Sequence, residues 1–167
     1  MTTYYTCMDS PVGRLVLTSD GTSLTALQPD SSKYPVSIGE DWVEDDGAAP
    51  FPEARRQLDE YFAGRRSDFD LPLSPRGTDF QQRVWLELLT IPHGSTSTYG
   101  DIARRIGNPN AMRAVGLANG KNPIAIIVPC HRVIGSNGKL TGYAGGLGMK
   151  QTLLDLETNA ALFAPEE

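Results

Sequence analysis

The residues best suited to covalent chemistry stand side by side in the C-terminal half, where His131 directly follows Cys130. The thiolate is the nucleophilic form of cysteine, and a neighbouring base or cation favours it by lowering the thiol pKa. The apolar run 124–128 is typical of a buried strand, which would place Cys130 at a strand end. Free cysteines are more often small buried hydrophobic residues than nucleophiles, so adjacency alone leaves both interpretations open.

Helical patterns precede this pair. A capping box that begins at Thr78 predicts one helix, and Thr98 is a candidate N-cap for a short helix that ends at Gly107. A further helix is expected over about residues 111–119, and the last two helices together predict a helix-turn-helix. Small residues surround Arg113, which permits close approach either to a DNA groove or to neighbouring helices.

The charge of the chain is unevenly distributed. Its net charge is −5, but residues 76–150 carry 9 basic and 3 acidic side chains, whereas residues 1–75 carry 6 basic and 13 acidic ones. A basic segment can follow a phosphate backbone within an acidic protein, because screening makes nearby charges count most. On charge alone, a solvated basic face is the alternative.

The N-terminal half contains no chemical motif and predicts a small antiparallel sheet followed by a helix. Its proline-rich and acidic segment 29–50 predicts a loop, and the helix is expected from Pro52 to Gly64. Three segments are rich in β-branched, aromatic and leucine residues and are separated by turn residues: 3–7, 14–18 and 23–27.

Prolines and a glycine in segment 71–77 predict a domain boundary. We expect a structural domain over residues 1–75, a DNA-binding and acceptor domain over residues 76–157, and a tail over residues 158–167.

Other classes of protein are disfavoured. No aliphatic run is long enough to span a bilayer and the N-terminus lacks a signal-peptide pattern, so we expect a soluble, cytoplasmic protein without a membrane partner. The two cysteines, Cys7 and Cys130, lie far apart and form neither a disulfide framework nor a zinc motif. We therefore expect no metal and no cofactor.

Residues 122–135, NPIAIIVPCHRVIG, resemble the active-site signature of O6-alkylguanine-DNA alkyltransferases, the methylated-DNA-protein-cysteine methyltransferases. This resemblance covers about residues 77–157. It implies an α+β fold with a ribonuclease-H-like N-terminal domain and a C-terminal winged helix-turn-helix, whose wing would be the predicted hairpin 134–140. Further matching segments are 98–100, 113–116, 142–146 and 156–157.

The resemblance implies a single-turnover transfer of an alkyl group from O6 of guanine to Cys130. His131 would take the thiol proton through a water, Glu157 would orient the imidazole, and Asn122 would brace the active-site turn. A guanine alkylated at O6 is stacked inside the duplex, so it must be flipped out before it can react. Without the family, the sequence favours Glu157 as a solvated helix acid and Asn122 as a turn former.

The resemblance also implies how DNA and base are held. Arg113 would fill the space of the flipped nucleotide, and Tyr99 would crowd the phosphate and help to rotate the nucleotide outward. Backbone groups of Cys130 and Val133 would read the base amino group, while Tyr143 would donate a hydrogen bond on the O6 side. The remaining implied contact positions are Gly100, Ser136 and Ala144, the last of which is serine in many relatives.

Two other functions stay open at this point. A winged-helix protein that binds damaged DNA without repairing it would use the basic segment, but relatives of that kind lack the reactive cysteine. A cysteine hydrolase would use Cys130 and His131 and would leave Arg113 and Tyr99 without a role. We expect double-stranded DNA containing O6-alkylguanine as the partner and a monomer in the free state, and leave cooperative assembly on DNA open.

Overall fold

The computed structural model of the protein describes residues 2–33, 35–135, 143 and 146–163. Its α+β class is as predicted: a sheet and one helix are followed by a largely helical half. No helix in these ranges is both long and apolar enough to cross a membrane.

The N-terminal sheet has the strand order β3-β2-β1-β4. Its three antiparallel strands lie within two residues of the predicted segments. A short fourth strand, β4 (Val43–Glu44), pairs in parallel with β1, so the sheet is mixed and the loop prediction for segment 29–50 was wrong at this point. Both residues of β4 are exposed, and two residues are too few to carry a hydrophobic pattern. The antiparallel strands are β1 (Tyr4–Met8), β2 (Leu15–Ser19) and β3 (Leu24–Pro29).

Helix α1 (Phe51–Phe62) follows the sheet and confirms the predicted helix. Pro52 lies in its first turn, where a missing N–H costs nothing. Gly64 has φ of 76° and its N–H donates to the Tyr61 carbonyl, so a left-handed residue ends the helix as expected. Tyr61 lies on the buried face of α1.

The C-terminal half confirms the predicted helix-turn-helix. Thr78 and Gln81 form the expected capping box, and the Thr98 side chain accepts from the Asp101 N–H at the start of α3. Trp85 of α2 donates from Nε1 to the Ala118 carbonyl at 2.8 Å, which ties α2 to α4. The helices are α2 (Asp79–Leu88), α3 (Tyr99–Arg105), α4 (Met112–Gly120) and α5 (Leu147–Phe163).

Three further features complete the description of the C-terminal half. A short parallel pair joins β5 (Ser97–Thr98) to β6 (Val133–Ile134). Helix α5 continues into the segment assigned above to a tail. The predicted wing lies outside the described residues from position 136 onward.

The run 124–128 is buried but is not a strand, which corrects the prediction. Only Ile124 forms an isolated bridge, with Leu27, and the chain then turns tightly. Ile127 N–H donates to the Ala125 carbonyl at 2.8 Å, and Ile126 between them has φ of 73°, an unfavourable value for a β-branched residue. An apolar run indicates burial, whereas the path of the backbone depends on hydrogen bonds from elsewhere.

Strand β3 supplies some of those bonds. Leu27 N–H donates to the Pro123 carbonyl at 2.8 Å, and Leu27 accepts from the Ala125 N–H at 2.9 Å. Gln28 Nε2 donates to the Asn122 carbonyl at 2.7 Å. The N-terminal sheet is therefore hydrogen-bonded to the segment that leads into Cys130.

Candidate active site

Cys130 begins a single 3₁₀ turn (Cys130–Arg132). It does not lie at the end of a strand, so that prediction was wrong. The residue is only 4% exposed. Burial raises the pKa of its thiol above the ordinary value, while Asn122, Lys150 and Tyr143 act in the opposite direction. The thiol is therefore protonated at rest, so its reaction needs a base within the site.

His131 and Glu157 supply a base and its orienting partner. His131 Nε2 and Glu157 Oε2 are 2.6 Å apart, and both side chains are almost completely buried. Arg132 reaches the same carboxylate, with Nε 2.7 Å from Oε1 and Nη2 3.0 Å from Oε2. Burial alone would raise the pKa of Glu157, but hydrogen bonds from His131 and Arg132 outweigh burial and hold it well below its ordinary range.

These contacts define the state of His131. Burial lowers the pKa of its imidazole, the hydrogen bond with Glu157 opposes this effect, and the positive charge of Arg132 adds to it. An ionised carboxylate can only accept, so Nε2 of the neutral ring must be the donor to Glu157. Nδ1 is then the acceptor nitrogen, and it is buried without a hydrogen-bond partner among the described residues. The ring has the tautomer that a proton acceptor needs.

Asn122 lies under the turn that carries Cys130. Its Nδ2 donates to the Val128 carbonyl at 2.8 Å, and its Oδ1 accepts from the Ile124 N–H at 3.0 Å. Asn119 of α4 donates from Nδ2 to the Cys130 carbonyl at 3.3 Å. Asn119 therefore connects the turn around the thiol to the second helix of the helix-turn-helix, and Asn122 braces the turn from below.

Lys150 brings a buried cation to the site from α5. Its side chain is fully buried, and Nζ donates to the Val133 carbonyl at 2.6 Å. Burial lowers the pKa of Lys150 to about 8, against an opposing effect from Cys130. The Tyr143 hydroxyl is close enough to lower the pKa of the Cys130 thiol, although it has no hydrogen bond of normal geometry within the described ranges.

The predicted DNA-binding residues lie on the helix-turn-helix, apart from this cluster. Arg113 is exposed near the start of α4, and Tyr99 is half-buried at the start of α3. A side chain at Gly116 would begin 3.9 Å from the Tyr99 ring, and one at Gly100 would begin 3.7 Å from the Met112 sulfur. These are ordinary van der Waals distances, so the packing of α3 against α4 does not itself require glycine at either position.

The structure thus gathers Cys130, His131, Glu157, Asn122 and Tyr143 into one buried cluster. It leaves Arg113 and Tyr99 on the helix-turn-helix. The predicted positions Ser136 and Ala144 lie outside the described residues.

Four further members of the cluster were not predicted from the sequence. Arg132 lies inside the motif, and its positive charge could have identified it as a partner of the acidic Glu157. Tyr61 is 96 positions away from Glu157 in the sequence, and no local pattern predicts that contact. The missed residues are Tyr61, Asn119, Arg132 and Lys150.

Fold and site together define a class: a helix-turn-helix protein with a buried cysteine beside a histidine that a glutamate orients. No group of three or more metal-binding side chains was found in the described part of the chain.

Two family models match this chain: "6-O-methylguanine DNA methyltransferase, ribonuclease-like domain" over residues 3–75, and the DNA binding domain of the same family over residues 79–159. A methylated-DNA--protein-cysteine methyltransferase of Methanosarcina acetivorans is 54% identical over 92% of this chain and 97% of the relative. Its Mycobacterium bovis counterpart is 56% identical over 95% of this chain and 94% of the relative. The crystal structure of Mycobacterium tuberculosis OGT in complex with DNA has a TM-score of 0.88 and 54% identity, covering 97% of this chain and 95% of that one.

The chain therefore belongs to the 6-O-methylguanine DNA methyltransferase family.

Proposed function

We propose that this protein repairs DNA by direct reversal, moving an alkyl group irreversibly from O6 of guanine to Sγ of Cys130. The observation that carries this proposal is the buried thiol beside a neutral His131, whose imidazole is oriented by Glu157. Family membership and the DNA-bound relative support the reaction and double-stranded DNA as the partner.

The duplex would lie against the helix-turn-helix. Arg113, exposed on α4, would enter the base stack and occupy the place of the extruded nucleotide, while Tyr99 would crowd the phosphate. Gly100 keeps the start of α3 free of a side chain where the backbone would approach the DNA. Ser136 is proposed as a contact to the DNA backbone.

The extruded guanine would be read by backbone and phenol groups. Carbonyls of Cys130 and Val133 would accept from its amino group, and Tyr143 would donate on its O6 side. The Ala144 N–H would be a further donor. Because Lys150 already donates to the Val133 carbonyl, that carbonyl is fixed in direction before the base arrives.

Transfer then requires removal of the thiol proton, one substitution at the alkyl carbon, and protonation of the guanine that leaves. His131 Nδ1 takes the thiol proton through a water, and the thiolate attacks the alkyl carbon. The new S–C bond forms as the C–O6 bond breaks. The guanine anion that leaves takes up one proton to become the normal base, which balances the proton that His131 removed from the thiol. Asn122 braces the turn throughout, and the thioether that remains ends activity after one turnover.

We also propose the functional division of the chain and its setting. Residues 1–75 would be the structural domain and residues 76–157 the DNA-binding and acceptor domain, as the two family matches support. A cytoplasmic location is proposed because the two relatives named above, from Methanosarcina acetivorans and Mycobacterium bovis, are archaeal and bacterial, and the DNA of such cells lies in the cytoplasm. The free protein is proposed to be monomeric.

The decisive experiment is intact-protein mass measurement after incubation with a duplex that contains O6-methylguanine. We expect one methyl group per molecule in the wild type and in Cys7→Ser, and none in Cys130→Ser. Cys7→Ser is the matched control because these are the two cysteines of the chain. Turnover beyond one equivalent, or methylation that persists in Cys130→Ser, would exclude the proposed reaction. Lesion binding without transfer by the wild type would favour the non-catalytic alternative.

A further inference from the structure

One phenol side chain from the N-terminal half lies in the candidate active site. Tyr61 of α1 is 1% exposed, and its hydroxyl donates to Glu157 Oε2 at 2.6 Å. Its ring packs against the rings of Phe62, Phe69 and His93, at centroid distances of 5.3, 5.3 and 6.2 Å. These contacts are made by the ring and not by the hydroxyl, so a phenylalanine at this position would keep them.

One oxygen of the Glu157 carboxylate, Oε2, accepts most of the hydrogen bonds that this carboxylate receives. Glu157 Oε2 accepts from the Tyr61 hydroxyl, from His131 Nε2 at 2.6 Å and from Arg132 Nη2 at 3.0 Å. Within the described residues, Tyr61 is the donor from the N-terminal half. The remaining donors belong to the segment that contains Cys130.

The number of donors on this oxygen matters for His131. A carboxylate with few donors draws the imidazole proton strongly and favours a protonated ring, which cannot accept a proton from the thiol. Each further donor takes up part of the carboxylate charge and weakens that pull. Burial and a coulombic effect of Glu157 raise the pKa of the Tyr61 hydroxyl well above its ordinary value, so Tyr61 remains a donor at working pH.

We propose that the Tyr61 hydroxyl is a positioning group for the Glu157–His131 pair: it holds the carboxylate and shares its charge, so that His131 stays neutral with Nδ1 available to the thiol proton. This inference rests on the proposed function, since it assigns Tyr61 to the same proton transfer. It also gives the N-terminal half a direct part in the chemistry.

Other ionisable groups face this pair, and the experiment must keep them in place. Arg132 and Cys130 flank His131 in the chain, Lys150 approaches from α5, and Tyr143 approaches the thiol. His93 lies beside the Tyr61 ring. Replacing Tyr61 by phenylalanine removes one hydroxyl and leaves all of these groups unchanged.

The test is a titration of His131 by ¹⁵N NMR in the wild type and in Tyr61→Phe. The chain has two histidines, so the two imidazoles are assigned separately, and His93 is followed alongside because it lies beside the Tyr61 ring. In Tyr61→Phe we expect the pKa of His131 to rise by about 0.5–1 unit, because a hydrogen bond to a charged group is lost and only part of its effect reaches the ring. The matched control Tyr5→Phe, on β1 of the same half, should leave His131 unchanged.

A second readout follows the reaction itself. In Tyr61→Phe, the acid limb of the pH profile for the single-turnover rate with free O6-benzylguanine should shift to higher pH by the same 0.5–1 unit. Below that limb, the rate of the variant should be on the order of 3- to 10-fold lower than that of the wild type. Incorporation of 3-fluorotyrosine at position 61 should shift both readouts in the opposite direction, since a more acidic phenol donates more strongly.

The outcomes separate this inference from the proposed function. An unchanged His131 titration in Tyr61→Phe, or equal shifts in Tyr5→Phe, overturns the role of Tyr61 even if the wild type repairs DNA normally. Failure of the wild type to accept a methyl group refutes the proposed function, while the NMR titration still decides whether Tyr61 sets the protonation of His131.

Discussion

Replacement of Glu157 by glutamine tests the buried charge cluster most directly. The Glu157 and Arg132 side chains are 1% and 7% exposed, with Nε and Oε1 2.7 Å apart. Glutamine keeps the size and one acceptor but leaves the arginine charge without a counter-ion. Removing one partner of a buried pair costs about 3–5 kcal/mol, so we expect the free energy of unfolding at pH 7 to fall by that amount.

This loss in the free energy of unfolding should depend on pH and become smaller as the pH falls. The pKa of Glu157 is held below its ordinary range in the fold, so the folded state keeps the carboxylate ionised where the unfolded chain takes up a proton. Its stabilising contribution is complete above the unfolded pKa, near 4.3, and is lost by about 1.4 kcal/mol per pH unit below it. Between about pH 4.5 and pH 3, the difference in the free energy of unfolding between wild type and variant should decrease by about 2 kcal/mol.

Urea unfolding at several pH values measures both effects. Asp155→Asn is the matched control, because Asp155 is an exposed acid on the same helix, and its effect should stay within about 0.5 kcal/mol. A Glu157→Gln loss no larger than that of the control, or a gap that does not change with pH, would refute the description of Glu157 as the ionised centre of the cluster.

Three further predictions concern the groups around it. Arg113→Ala should slow repair of duplex DNA by about tenfold or more and leave the reaction with free O6-benzylguanine unchanged, as single-turnover assays would show; equal losses on both substrates would remove its flipping role. Lys150 has a pKa of about 8, below its ordinary 10.5, so its buried charge costs stability that returns as pH rises through this range. Between pH 8 and pH 10.5, the free energy of unfolding of the wild type should therefore rise by up to about 3 kcal/mol relative to that of Lys150→Met in urea titrations. A difference between the two proteins that stays constant with pH would contradict the buried cation. Asn122→Ala should lower the free energy of unfolding by about 1–3 kcal/mol, because the buried Ile124 N–H loses its acceptor and the Val128 carbonyl keeps only the Cys130 N–H. The exposed Asn110→Ala should not have this effect.

Local signals predicted most of the helices correctly. The capping box at Thr78, the N-cap at Thr98 and the left-handed Gly64 each act within one turn of chain, so their chemistry is visible in a few consecutive residues. The apolar run 124–128 was predicted wrongly for the opposite reason. Its turns depend on Asn122 and on β3, and strand β3 is about a hundred positions away in the sequence.

The same distinction applies to the site. The motif around Cys130 and His131 is contiguous, so the amino-acid sequence determined which groups could react and which family the chain resembles. Whether the thiol is ionised depends on burial, and burial raises its pKa, which a sequence pattern does not reveal. The neutral state of His131, the pairing of Arg132 with Glu157 and the phenol that Tyr61 brings from the other half were decided by tertiary structure alone. They are contacts between segments that only folding brings within hydrogen-bond distance, and their strength comes from the exclusion of water.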